Sequence, residues 1–139
     1  DQFFSPLENI RGEGRLLTPA AKEFNKMAKA FEEENRYKLK VSDSYRSLER
    51  QVEMKRKQLS GQGNPASVPG TSKHGWGLAV DLGTFDGNNS KFESSIFEWL
   101  TNNAYKYNFY HPEWAAKKGS APEAHHWEYD GNHGLTKNK

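Results

Sequence analysis

An aspartate inside an apolar strand constrains this chain more than any other feature. Leu78-Ala79-Val80-Asp81-Leu82 reads as a β-strand. Strand side chains alternate, so Leu78, Val80 and Leu82 share one face while Ala79 and Asp81 share the other. A buried carboxylate is costly unless it is paired or bound to a cation. Ala79 is small and leaves room beside Asp81. Just upstream, Gly75 and Gly77 let the backbone fold His74 back toward Asp81. By spacing alone an equal alternative stands, in which Asp81 ends the strand and caps a turn.

A second cluster is Glu123-Ala124-His125-His126-Trp127-Glu128-Tyr129. A strand entered near residue 124 puts His126 and Glu128 on one face, opposite His125, Trp127 and Tyr129. His126 could complete a His/Asp/His set with His74 and Asp81. Three N/O donors plus a water describe a catalytic zinc site with an open position. Glu123, at the mouth of the strand, would then stand beside that water without ligating the metal, where a general base belongs. The alternative is an aromatic edge strand with incidental histidines, and spacing does not choose between the adjacent His125 and His126. A third segment is Ser42-Asp43-Ser44-Tyr45-Arg46-Ser47, with Gln51 one turn into a following helix. Arg46 there could grip a carboxylate with its guanidinium fork or polarise a carbonyl. Taken alone, it reads as a surface arginine.

The rest of the chain supplies the frame. Residues 1–17 read as irregular, anchored by Phe3, Phe4, Leu7 and Ile10. Thr18-Pro19 reads as an N-cap and first helical proline. Ala21, Phe24, Ala28 and Phe31 then mark an amphipathic helix over 19–34. A short strand spans 38–42, with Leu39 and Val41 on one face. A helix over about 48–59, capped by Ser47, has Leu48, Val52 and Leu59 inward. Residues 60–73 form a long loop, a length that is often functional, and 86–89 a loop tip. Ser90-Lys91-Phe92-Glu93 fits a capping box, opening a helix with Phe92, Ile96, Phe97 and Leu100 inside. Tyr105–Tyr110 and His126–Tyr129 read as strands, and the tail after Leu135 is polar. Together these predict one α+β domain over 1–139, with a core at about 18–130, a polar tail over 131–139, and a small antiparallel sheet flanked by helices.

Only 34% of the residues are hydrophobic, so the core must be lean, but aromatics make up 13% and each buries a large area. Twenty basic against 18 acidic residues leave +2, and no basic block marks a nucleic-acid partner. No apolar run is long enough for a membrane span. There is no cysteine, which excludes disulfides, thiol nucleophiles and cysteine zinc sites. No G-x-S-x-G elbow supports a serine mechanism.

In order along the chain, the three segments resemble the D-alanyl-D-alanine carboxypeptidase (VanY-like) family of zinc peptidases. The family pattern is Ser-x-His-x-x-Gly-x-Ala-x-Asp, then Glu-x-x-His and an aromatic, with an upstream Tyr-Arg-Ser. This chain supplies Ser72, His74, Gly77, Ala79 and Asp81, then Glu123, His126 and Trp127, with Tyr45-Arg46-Ser47 upstream. The resemblance implies one Zn²⁺ held by His74, Asp81 and His126, with Glu123 as base. It implies that Arg46 steadies a substrate carbonyl or carboxylate and that Ser72 touches a terminal carboxylate, with Tyr45 and Gln51 also at the substrate. The implied fold is the one shared with the hedgehog signalling domain.

The implied substrate is a peptidoglycan stem peptide, cut at the terminal D-Ala or, as in related phage endolysins, at an internal L-Ala–D-Glu bond. A monomer acting on the bacterial cell wall follows, whether extracellular, periplasmic or phage-delivered. One departure stands out: His125 occupies the place where family members commonly carry Trp. A different class of function is a metal-containing cell-wall binding module, using exposed aromatics such as Trp114, Tyr107 and Tyr110. A pure binder has little reason to keep Glu123 as Glu, which favours the enzyme.

Overall fold

A computed structural model describes residues 7–12, 14–45, 52, 53, 55, 56, 74, 76–83 and 90–131. The expectations for Phe3, Phe4, Arg46, the Ser47 cap, Leu48, Gln51, Leu59, Ser72, the 60–73 loop, the 86–89 tip and the tail from 132 lie outside the described residues.

The described residues open with a hairpin where the sequence predicts irregular backbone. Strands β1 (Leu7–Asn9) and β2 (Arg15–Leu17) pair antiparallel, with Leu7 opposite Leu17. Three-residue strands carry too little alternation to register as a pattern. The visible clue is the Gly-x-Gly at 12–14, because Gly14 adopts φ +99° and a Cβ there would collide with the Ser44 hydroxyl.

Helix α1 (Thr18–Asn35) follows without a break. Its buried residues Ala20, Ala21, Phe24, Met27, Ala28 and Phe31 recur on one face, as the periodicity predicts. Thr18 is already helical. Leu17 holds the cap position with no side-chain bond, because β2 runs directly into the helix and the Leu17 N–H donates to the Gly77 carbonyl at 2.9 Å. The helix ends where Arg36 turns left-handed at φ 66° and its N–H reaches the Glu32 carbonyl at 2.8 Å. Residues 52, 53, 55 and 56 are helical as expected. Val52 is 51% exposed and not inward, so its apolar side chain is no part of the core.

The main sheet is wholly antiparallel, in the order β3-β4-β6-β5. Its strands are β3 (Lys40–Asp43), β4 (Ala79–Gly83), β5 (Phe109–Tyr110) and β6 (His126–Tyr129). One face, with Val80, Leu82 and Trp127, packs into a cluster with Phe24, Met27, Phe31, Ile96, Leu100 and Phe109. Edge-on ring pairs knit it together: Phe24–Phe109 at 5.9 Å and Phe31–Trp99 at 5.2 Å between centroids. Rings of this size contribute about 1.5–3 kcal/mol each by burial, which is how a chain short of aliphatic residues still forms a core.

Helix α2 (Ser95–Asn103) starts later than the Ser90 capping box predicts. Ser90 instead donates its hydroxyl to the Leu82 carbonyl at 2.9 Å, tying the segment to the end of β4. Ser94 is the cap, accepting from the Phe97 N–H at 3.2 Å. The strand expected over Tyr105–Tyr110 is a 3₁₀ turn (Ala104–Tyr107) followed by the two residues of β5. Alternating Tyr105, Tyr107 and Phe109 imitate a period of two, but α2 continues into the turn and buries Ala104. Strand β6 lies between β4 and β5, so it is not an edge strand.

Candidate metal centre and active site

The register of β4 against β6 assembles the site. Ala79 lies opposite Glu128, Val80 opposite Trp127, and Asp81 opposite His126. Directly opposed residues point to the same face. One face of the pair is therefore core, and the other brings together Ala79, Asp81, His126 and Glu128. Asp81 Oδ1 sits 3.2 Å from His126 Nδ1. It also sits 3.2 Å from His74 Nε2, which arrives from the segment before β4.

His74 is held by the N-terminal hairpin. Its Nδ1–H donates to the Ser44 carbonyl at 2.8 Å, while the Ser44 hydroxyl accepts from the Arg15 N–H at 3.1 Å. The Gly77 N–H donates to the His74 carbonyl at 3.2 Å. Gly77 has φ +71°, and a Cβ there would press on the Leu17 backbone, so glycine suits this junction on both counts. The hairpin that the sequence did not predict is thus the support for His74.

His126 is held by carboxylate chemistry. Its Nε2–H donates to Glu128 Oε2 at 2.8 Å, and the Tyr110 hydroxyl donates to Glu128 Oε1 at 2.8 Å. Burial and the Glu128 charge push the Tyr110 hydroxyl above its ordinary range, so it remains a donor. Burial alone would lower the His126 pKa, but hydrogen bonds to Asp81 and Glu128 outweigh it and raise the value to about 9. Burial likewise pushes Asp81 up, and hydrogen bonds from His126 and His74 reverse it, holding this carboxyl well below the usual range. The two imidazole rings are 5.1 Å apart, and Trp114 lies 4.9 Å from the His126 ring.

The donor set fits a metal ion. His74, Asp81 and His126 each offer one ligand atom, all within 4.8 Å of one another. Four-coordinate zinc with ligand bonds near 2.0–2.2 Å separates its ligand atoms by about 3.3 Å, close to both spacings about Asp81. Each imidazole has its far nitrogen occupied as a donor, to the Ser44 carbonyl or the Glu128 carboxylate. That arrangement turns the near nitrogen of each toward Asp81 and is the usual second layer of a histidine metal site.

Glu123 stands beside this set and outside it. Its Oε1 is 3.9 Å from His126 Nδ1, and its side chain is 37% exposed against 15% for Asp81. The loop holds its backbone firmly. The Glu123 N–H donates to the Ala115 carbonyl at 2.9 Å, and the Glu123 carbonyl accepts from His111 Nε2–H at 2.8 Å. Burial pushes the His111 pKa below its ordinary value, which favours the neutral ring. His125 Nε2 lies 3.6 Å from Glu123 Oε1. Tyr45 sits with its ring 5.5 Å from the Arg15 guanidinium.

The structure therefore gathers four of the sequence-derived site residues, His74, Asp81, His126 and Glu123, and places Tyr45 against Arg15. Arg46, Gln51 and Ser72 lie outside the described residues. Ser44, His111 and Glu128 carry no role in the sequence reading, and Tyr110, expected as an exposed aromatic of a binding surface, is instead half-buried and hydrogen-bonded to Glu128. For Glu128 a signal existed, since it shares a face with His126 two residues away. No helix among the described residues is long and apolar enough to cross a membrane.

Comparison with known proteins identifies the family and the fold. Among curated proteins, a D-alanyl-D-alanine carboxypeptidase from Enterococcus faecalis is 38% identical over 74 residues. That match covers 51% of this chain and only 27% of the relative, which is far longer. VanYB in complex with D-alanine-D-alanine superimposes with a TM-score of 0.73 at 27% identity, covering 98% of this chain and 83% of that one. A VanY D,D-pentapeptidase from a VanB-type resistance cassette, in complex with Zn(II), gives 0.71 at 25% identity, covering 98% and 84%. The LdcB LD-carboxypeptidase gives 0.73 at 25% identity, covering 97% and 69%. Residues 14–132 match the family model described as VanY, D-alanyl-D-alanine carboxypeptidase, and so include every strand of the main sheet and every residue of the site. The chain belongs to the VanY D-alanyl-D-alanine carboxypeptidase family.

Proposed function

We propose that this chain is a zinc-dependent peptidase that removes the terminal D-alanine from peptidoglycan stem peptides. The observation that carries the reading is the convergence of His74 Nε2, His126 Nδ1 and Asp81 Oδ1, with the Glu123 carboxylate next to them and more exposed. His74, Asp81 and His126 would hold one Zn²⁺. Bound there, zinc supplies Lewis acidity, which acidifies a water molecule and polarises a carbonyl.

The remaining work falls to the protein. Glu123 takes a proton from the attacking water and returns it to the leaving amine. Its position in a loop anchored at both backbone ends keeps the carboxylate within reach of the reacting atoms. Asp81, held well below the carboxylate range, stays ionised at working pH and does not compete for that proton. Trp114, against the His126 ring and 37% exposed, flanks the three candidate ligands. By the resemblance, Arg46 steadies the scissile carbonyl or the terminal carboxylate, Ser72 contacts that carboxylate, and Tyr45 and Gln51 complete the substrate contacts. Such a substrate places the enzyme at the bacterial wall, outside the cytoplasm or delivered by a phage.

Incubation with defined stem peptides ending in D-Ala-D-Ala, followed by mass analysis of the products, tests this reading. Loss of a single alanine is expected. Release of D-alanine only from tetrapeptides would reassign the enzyme as an L,D-carboxypeptidase, the activity in the name of the LdcB neighbour. Cleavage between L-Ala and D-Glu would make it an endopeptidase.

A further inference from the structure

Asp81 takes part in a second group of donors. Asp81, Glu123 and His125 each offer one ligand atom, and these also lie within 4.8 Å of one another. Glu123 Oε1 is 3.6 Å from His125 Nε2 and 3.9 Å from His126 Nδ1, so this group abuts the first and shares a carboxylate with it. From this geometry we infer that Asp81, Glu123 and His125 form a second divalent-cation position, and that filling it inhibits the enzyme.

Two carboxylates and an imidazole suit a borderline ion such as zinc. Paired metal sites commonly stand about 3.5–4 Å apart, a spacing that a shared Asp81 carboxylate can span. Asp81 is common to both sets, so a second cation gains only the Glu123 carboxylate and the His125 imidazole as new donors and binds against the charge of the first ion. The second set is also less shielded. Its Glu123 and His125 side chains are 37% and 20% exposed, against 3% and 6% for His74 and His126. Outer hydrogen bonds of the kind that orient His74 and His126 are typically worth about 10–100-fold in metal affinity. The second position is therefore at least about tenfold weaker than the first.

Inhibition follows from the residue involved, and this step rests on Glu123 being the base. A cation held by the Glu123 oxygens occupies the lone pairs that would accept the water's proton. His125 stands where the resemblance gives Trp, whose indole has no lone pair to offer a metal. The second position is therefore a property of this chain's own residues.

Dialysis of chelator-stripped protein against graded zinc, with bound metal counted by mass spectrometry and stem-peptide hydrolysis followed in parallel, tests the inference. The wild-type protein is expected to take one zinc, then a second at a concentration at least about tenfold higher. Activity should rise with the first and fall with the second. His125→Ala and His125→Gln are each expected to stop at one zinc and to resist inhibition, and should one fail to fold by circular dichroism the other carries the comparison. Saturation of the wild type at one zinc would overturn the second position and leave the first intact. Two zincs in a folded His125 variant would place the second ion elsewhere. No zinc in a folded His125 variant would move His125 into the first set, and no zinc in the wild type would defeat the parent reading as well.

Discussion

The two faces of the β4–β6 pair share one backbone and do opposite work. Val80, Leu82 and Trp127 point into a dry cluster of aromatic and aliphatic side chains. Ala79, Asp81, His126 and Glu128 point the other way, into a cluster of charge. Because strand side chains alternate, a core residue and a candidate ligand stand next to each other in sequence without touching. The stability of the first face is what permits the second to hold a carboxylate between two imidazoles. A one-residue slip in register would exchange the faces and destroy both.

Substitutions that affect one face only break this comparison most sharply. The largest effect is expected for His126→Ala, which removes one of three ligand atoms. Metal analysis should find the first zinc lost and hydrolysis abolished, while His125→Ala keeps that zinc. On the other face, Leu82→Ala is expected to cost about 2–5 kcal/mol of folding stability, read by denaturant unfolding, while the folded protein still binds zinc. Glu123→Gln should retain zinc and lose a factor of about 10² or more in turnover. Retained turnover with normal metal content would remove Glu123 from its role. A subtler test of the second layer is Glu128→Gln, expected to weaken zinc binding about 10–100-fold by competition with a chelator, with little change in fold.

The smallest effect is a pH dependence of the chelated protein. His126 is raised from 6.5 to about 9, so its stabilising contribution is complete below pH 6.5 and is lost as pH rises through 9. Asp81 is lowered from 3.8, so its contribution is present above that pH and is lost only as pH falls further. Thermal melts of zinc-stripped protein should therefore peak between about pH 4 and 6.5 and decline toward pH 9. A melting temperature flat from pH 6.5 to 9 would show that His126 is not paired as described.

The legible parts of the molecule were those governed by local pattern. Helix α1 announces itself by Phe24, Ala28 and Phe31 at helical spacing, and β4 by an apolar run broken at Asp81. A buried carboxylate needs partners, which points to His74 and to the His125–His126 pair, but only the family resemblance singles out His126 from its neighbour. What escaped was set by contacts between distant segments. The β1–β2 hairpin is too short to show a period, yet it holds Ser44 and through it His74. Tyr110 was placed on a strand, but its bond to Glu128 depends on the β5–β6 register, which no local spacing encodes. His111 reaches the Glu123 carbonyl across a loop. Ser90 failed as a cap because its hydroxyl is taken by the Leu82 carbonyl.

Exhaustive chelation followed by zinc titration, with stem-peptide hydrolysis as the readout, tests the central claim most directly. Hydrolysis that vanishes on chelation and returns with the first equivalent of zinc is the predicted result. Undiminished hydrolysis by protein shown to contain no metal would contradict it.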